Sequence, residues 1–291
     1  MMFVSLNDSA VLDNTRKSYD PRKSVLSPNY RSKLFRNLLK PFHFTAPNMI
    51  RRLSALSELK NSYQHPHVQR WVLELLEQTW TAQGFSAGPS DRHIHPTYNA
   101  MTTSLLINLG YPDHDVLRVG INWILNHQPV SLCPPEEGQL EMIARFGNNL
   151  VKAMAALSAY QQTYPEKWTN AMQEKLTQGM EALLNLEWMT RNPMLNSPVC
   201  QRLMRLEFPF NQNTSILEVL RLLRDQDKLE DVRCQSAIQW LRAQRQRDGH
   251  WLFTSMVEHP AWVPFGEPGL PNSWITRLAT DVLHRASIQA A

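Results

Sequence analysis

Few residues in this chain are spaced for chemistry, and the most suggestive are two histidines and a carboxylate. His93 and His95 follow Asp91 at two and four residues. A nearby carboxylate favours the protonated imidazole, which makes either histidine a candidate proton donor near neutral pH. Glu267 lies in the segment Phe265-Gly266-Glu267-Pro268, where apolar neighbours would favour the neutral acid by desolvation. His93, His95 and Glu267 are therefore the residues the sequence offers for proton transfer. No metal is expected: His65-Pro66-His67 and His93-Ile94-His95 are close pairs, but no Cys or His stands at the spacing of a local zinc site. No cofactor is expected either. Cys133, Cys200 and Cys234 are an odd set at unrelated spacings, which argues against a disulfide framework and fits a reducing, cytoplasmic setting.

The elements that must position these groups are helices. A unit with a small residue followed by apolar ones starts at Gly120, Gly179 and Ala237, 59 and 58 residues apart. That period belongs to a repeated helix pair rather than to one helix. Each such outer helix is preceded by a segment with a polar, mostly Asn-bearing start, Pro96 to Asn99, Gly147 to Asn149 and Asn211 to Thr214, and a further such start follows the last of them at Pro271 to Ser273. These read as inner helices, with N-capping as the simplest role for the Asn side chains. Between His67 and Trp80, Val68, Trp71, Val72, Leu75 and Leu76 fall on one face. With an inner helix over 49–59, the chain holds four inner/outer pairs and a last inner helix over 272–286; a helix within 31–39 would make about five pairs. Asp113 or Asp115 reads as the N-cap of the outer helix that follows.

The third copy ends in Gln244-Arg245-Gln246-Arg247-Asp248-Gly249-His250-Trp251. This string resembles the QW motif of the squalene and terpene cyclases and the related prenyltransferase β-type repeats. The resemblance covers roughly residues 49–287 and implies an all-α fold, an α/α toroid whose cavity lies at the N-terminal ends of the inner helices. It places a substrate among Tyr98, Asn99, Arg145, Asn149, Asn213, Trp251, Trp262, Trp274 and Arg277, with Asn148, Lys152, Asn211 and Asn272 nearby. Aromatic faces stabilise carbocations, and helix N-termini with Arg145, Lys152 or Arg277 suit an anionic group. The Asp-x-Asp-Asp acid of the cyclases is missing; Asp113-His114-Asp115 is the nearest string. The acidic diphosphate-metal motifs and the zinc ligands of protein prenyltransferases are missing as well. The resemblance then implies a cyclase-like enzyme of isomerase or lyase type, closing an isoprenoid or similar apolar substrate by acid initiation with His93, His95 or Glu267. The alternative is a non-catalytic toroid that binds an apolar ligand or a protein partner.

The 291 residues carry a net charge of +4, but eight Lys or Arg lie between Arg16 and Lys40 against one acid, Asp20. Residues 1–45 read as a basic arm and 46–291 as one toroid domain. Within 31–40 the apolar residues Leu34, Phe35, Leu38 and Leu39 form a stripe among cations, a pattern that either lies on an anionic membrane surface or closes the ring by packing inward. Packing is the preferred reading. Nucleic acid is not expected, since no recognised binding module accompanies the cations. No stretch is long enough to span a bilayer, and Met1 to Leu12 does not read as a secretory signal. Two long Pro-containing loops, 189–209 and 251–271, are placed to cover a cavity mouth as lids.

Overall fold

A computed structural model describes residues 32–131, 140–186, 203–254 and 263–289, without the side chains of 140–144, 288 and 289. Most of the basic arm, the central parts of both long loops, Trp262, Cys133 and Cys200 lie outside the described residues. What is described is mostly helical. Among the described residues these α-helices follow one another: α1 (Lys33–Leu38), α2 (Ala46–Ser57), α3 (Pro66–Thr79), α4 (Pro96–Leu109), α5 (His114–His127), α6 (Leu140–Thr163), α7 (Asn170–Leu184), α8 (Ile216–Asp225), α9 (Gln235–Ala243) and α10 (Ser273–Gln289). Two short antiparallel strands, β1 (Trp80–Thr81) and β2 (Gly84–Phe85), pair Trp80 with Phe85 between α3 and α4.

The packing order follows the alternation read in the sequence. α2 packs on α4, α4 on α6, α6 on α8 and α8 on α10, whereas α3, α5, α7 and α9 pack respectively on α2, α4, α6 and α8. α7 also touches α5, and α9 also touches α10. One hydrophobic cluster runs from Phe35 to Ala286 through this arrangement. The apolar residues marked on α3 are all buried, as one-sided spacing requires when one face of a helix meets a neighbour.

The repeat has a steric cause. A Cβ placed on Gly120 would lie 2.0 Å from Thr103 Oγ1 and 2.8 Å from the Phe85 ring, and one on Gly179 would lie 2.0 Å from Met154 Sδ. In both copies the small residue marks where an outer helix comes closest to its inner partner; in the third, Ala237 is buried. The two glycines differ in what must yield. At Gly120 the obstacles are a β-branched side chain and an aromatic ring, while at Gly179 the obstacle is a flexible methionine. Gly120→Ala is therefore expected to destabilise by about 1–3 kcal/mol, net of the helix-propensity gain, and Gly179→Ala to lie closer to neutral. Urea denaturation of the two variants side by side checks this; equal effects would refute the distinction.

Helix ends show which polar starts act as caps. Asp113 Oδ1 accepts from the backbone N–H groups of Asp115 and Val116 at 3.0 and 3.3 Å, and Asn272 Oδ1 accepts from Trp274 and Ile275, both at 3.0 Å. The other Asn starts need correction. α6 begins at residue 140, so Asn148 and Asn149 are inside a helix, and α8 is capped by Ser215 rather than by Asn211 or Asn213. The His65-Pro66-His67 pair is a helix start as well, His65 Nδ1 accepting from the His67 N–H at 3.2 Å.

The stripe on α1 packs inward. Phe35 and Leu38 are fully buried, and α1 packs on α2. Arg52 of α2 donates to the carbonyls of Leu38 at 2.6 Å, Lys40 at 3.1 Å and Asn37 at 3.3 Å, satisfying the acceptors that a helix C-terminus leaves open. The apolar face considered for a membrane surface in 31–40 is thus occupied by the protein's own core. Among the described residues no helix is long and apolar enough to cross a membrane.

Candidate functional site

The polar residues around which a cavity was expected bond to one another instead. Asn148 Oδ1 of α6 accepts from both the N–H and the hydroxyl of Thr214, at 2.8 Å each, just before α8. Thr97 donates to Asn149 Oδ1 and so joins α4 to α6. Arg51 of α2 donates to Gln212 Oε1 at 2.6 Å. Asn99 is buried in the first turn of α4, where Oδ1 accepts from the Phe85 N–H at 3.0 Å and Nδ2 donates to the Gly120 carbonyl at 3.1 Å. It ties β2 and α5 to α4 from a fully buried position.

A cavity of about 140 Å³ lies between the later halves of α2, α4 and α6 and the full length of α8, from Glu218 in its first turn to Asp225 at its end. Ser54, Ser57 and Glu58 line it from α2, Ser104 and Asn108 from α4, Lys152, Ser158 and Gln162 from α6, and Glu218, Arg221 and Asp225 from α8. The aromatic among its described lining is Phe210. At its inner end Lys152 Nζ donates to both carboxylate oxygens of Glu218, at 2.6 and 2.7 Å, and both side chains are nearly inaccessible. Burial pushes the Glu218 carboxyl up, and the attraction and hydrogen bonds of Lys152 pull it back. Further out, Arg221 Nη1 donates to Glu58 Oε1 at 3.0 Å, joining α8 to the end of α2. Burial opposes the Arg221 charge, but Glu58, then Asp225 and Glu218, overcome it and raise its pKa.

No family model matches the chain, and no curated protein sequence matches it either. The chemistry of the site must then be read from these side chains alone.

Behind the cavity wall sits a carboxyl that the sequence reading did not single out. Glu207 is buried; its Oε1 accepts from Asn211 Nδ2 at 2.6 Å, and its Oε2 has no hydrogen-bond partner among the described residues. Burial raises its pKa, with the Asn211 bond opposing. The folded protein holds this proton more tightly than the unfolded chain does. The associated stability is present below the ordinary carboxylate range and is lost as pH rises through the folded value. Glu207→Gln should therefore raise the melting temperature at pH 8 and leave it nearly unchanged near pH 4. A melting series against pH reads this directly, and a variant equally stabilised at both pH values would count against it.

The expected acids are elsewhere. His93, His95 and Glu267 are all solvent-exposed. His95 Nε2 lies 2.7 Å from Asp91 Oδ2, and this contact, followed by the His93 backbone hydrogen bond, holds the Asp91 carboxyl below its usual range. The pair foreseen from spacing does form, but on the surface. Glu267 projects to solvent.

Nor are the expected substrate residues brought together. Arg145, Asn213 and Arg277 are exposed, Tyr98 is half-buried beside the His95 ring, and Asn149 is held by Thr97. Trp274 stacks on Phe208 at 5.4 Å with the rings 13° apart, and Phe265 packs edge-on against both. Trp251 is buried and donates its indole N–H to the Leu241 carbonyl at 2.8 Å. These aromatics fill space between helices. Among the described residues no group of three or more His, Cys, Asp or Glu could hold a metal ion. One signal of the actual lining stood in the sequence: Glu218, Arg221, Leu222 and Asp225 fall at i, i+3, i+4 and i+7, one face of α8.

Proposed function

We propose that the chain is a helical scaffold of the α/α toroid type that binds one small polar molecule in the cavity between α2, α4, α6 and α8. The toroid reading is supported by the consecutive packing of the inner helices, the outer helix laid on each, and the QW-like string between α9 and α10. The observation that carries the binding reading is the cavity itself, with two ion pairs, serine hydroxyls and amides around about 140 Å³. Buried ion pairs contribute little net stability compared with apolar packing, so charges placed around a void are better explained by what enters it.

Acid-initiated cyclisation of an isoprenoid has less support from this geometry. A void of roughly 150 Å³ holds a molecule the size of benzene, and a polyene long enough to close rings exceeds it. Carbocation chemistry also calls for aromatic faces around the substrate, and Phe210 is the aromatic residue among the described lining, beside aliphatic and polar side chains.

The test is saturation-transfer NMR on the full chain with farnesol in one mixture and small amino acids, polyols and amines in another, repeated on Ala155→Phe. Ala155 lines the cavity, and a phenyl ring there fills it; circular dichroism establishes that the variant is folded. Transfer to polar compounds that disappears in the variant supports binding in the cavity. Transfer to farnesol alone would reverse the proposal in favour of an isoprenoid substrate.

A further inference from the structure

The charges around the cavity are arranged with both signs presented at once, and several of their bonding positions are open. Arg221 uses Nη1 for Glu58, while its Nε and Nη2 hydrogens have no hydrogen-bond acceptor among the described residues. Glu58 Oε2 is likewise unengaged by any hydrogen bond among the described residues. Asp225 receives Arg224 Nε and Nη2 on Oδ1, at 2.9 and 2.6 Å, which leaves Oδ2 without a hydrogen-bond donor among the described residues. Arg221 and Asp225 stand one turn apart on α8, so a cation and an anion face the cavity about 5–6 Å apart at their Cβ atoms, with Glu58 opposite on α2.

We propose that the ligand is a small zwitterion, an amino acid or betaine carrying one carboxylate and one ammonium group a few bonds apart, with its carboxylate on the Arg221 guanidinium and its ammonium against Glu58 and Asp225. This rests on the cavity-binding reading above and specifies its occupant. A single-charge ligand fits the lining less well. Lys152 and Arg221 face Glu58, Glu218 and Asp225, so a lone anion meets more negative than positive charge. A lone cation leaves the open guanidinium donors unpaired in a partly buried site, which is costly. A neutral polyol leaves both signs unmatched. A zwitterion answers the planar fork of the arginine with a carboxylate and the two free carboxylate oxygens with N–H groups or cationic methyls. The serine hydroxyls of Ser54 and Ser57 then solvate the body of the ligand.

The test is isothermal titration of the full chain with β-alanine, L-threonine and glycine betaine, beside the half-ligands propionate and propylamine. At least one zwitterion is expected to bind at least about tenfold more tightly than either half-ligand, and Arg221→Gln to weaken it by at least about tenfold. Because that variant strands Glu58, it is paired with Arg221→Lys, which keeps the charge but loses the fork and should also bind more weakly, and with the neutral double variant Glu58→Gln/Arg221→Gln. Propylamine binding as tightly as every zwitterion, or zwitterion binding unchanged in Arg221→Gln, overturns the inference. If other polar compounds still lose their NMR transfer in Ala155→Phe, the cavity-binding reading survives that result. If no zwitterion binds the wild-type chain the inference is overturned, and if the NMR mixtures are silent too, the reading it rests on falls with it.

Discussion

Lys152→Met is expected to lower the free energy of unfolding by about 3–5 kcal/mol at pH 7, because it leaves the Glu218 carboxylate buried without its cation. Lys152 and Glu218 have side-chain exposures of 5% and 10%, and the ammonium meets both carboxylate oxygens. Little water is available to replace the lost partner. The double variant Lys152→Met/Glu218→Leu should recover most of the loss, since removing both members of a buried pair removes both desolvation penalties. The single variant's defect should also shrink as pH falls: with Lys152 gone, burial is opposed only by Arg221 and the Ser215 hydrogen bond, the folded state holds the Glu218 proton more tightly, and acid supplies that proton. Urea denaturation of the single and double variants at pH 5 and pH 8 tests all three statements. A single-variant loss below about 1 kcal/mol would mean that water reaches the pair and that it behaves as a surface salt bridge. Recovery in the double variant combined with lost ligand binding would separate the pair's role in the site from its role in the fold.

Trp251→Ala is expected to cost about 3–5 kcal/mol, the range for deleting a buried aromatic side chain. The indole does more than fill space. Its N–H meets the Leu241 carbonyl at the end of α9, the Arg245 guanidinium lies 5.6 Å from its ring centroid, its backbone N–H donates to Thr276 Oγ1 at 3.1 Å in α10, and its carbonyl accepts from the Asn272 N–H at 2.9 Å. Gly249, two residues earlier, has φ +89°, and this left-handed conformation lets the chain turn back onto α9. The QW-like string therefore ties α9 to α10. Trp251→Phe keeps most of the burial and loses the hydrogen bond, so a smaller cost of about 1–2 kcal/mol is expected. Thermal unfolding ranks the two variants, and hydrogen exchange should show faster amide exchange in α10 than in α3 for the alanine variant. Uniform acceleration across both helices would mean that the string is not a local tie.

Arginine at 52 shows how a sequence pattern can be sound while its purpose is not visible. The stripe of Leu34, Phe35, Leu38 and Leu39 among basic residues was legible as an amphipathic helix, and α1 is that helix. Whether the stripe faced lipid or core depended on α2, whose Arg52 reaches three carbonyls at the end of α1. The Asn starts followed the same logic. Asn272 caps its helix as local chemistry suggests, but Asn99, Asn148 and Asn149 bond to residues distant in the chain, since a buried amide is satisfied by whichever partners packing supplies.

The sequence by itself determined the helices and their alternation, because one-sided apolar spacing, capping residues and a small residue every 58 or 59 positions are local demands that each segment meets alone. It also placed the close approaches at Gly120 and Gly179, where only a small residue lets two helices touch. The location of the cavity was decided by tertiary structure. Contacts between residues far apart in sequence, Asn148 with Thr214, Thr97 with Asn149 and Arg51 with Gln212, join the helices where the polar starts were read. The stripe Glu218, Arg221 and Asp225 reads in the sequence like an ordinary solvated face. Only the approach of α2, α4 and α6 turns it inward, and burial then gives those charges an energetic consequence that spacing along one helix cannot express.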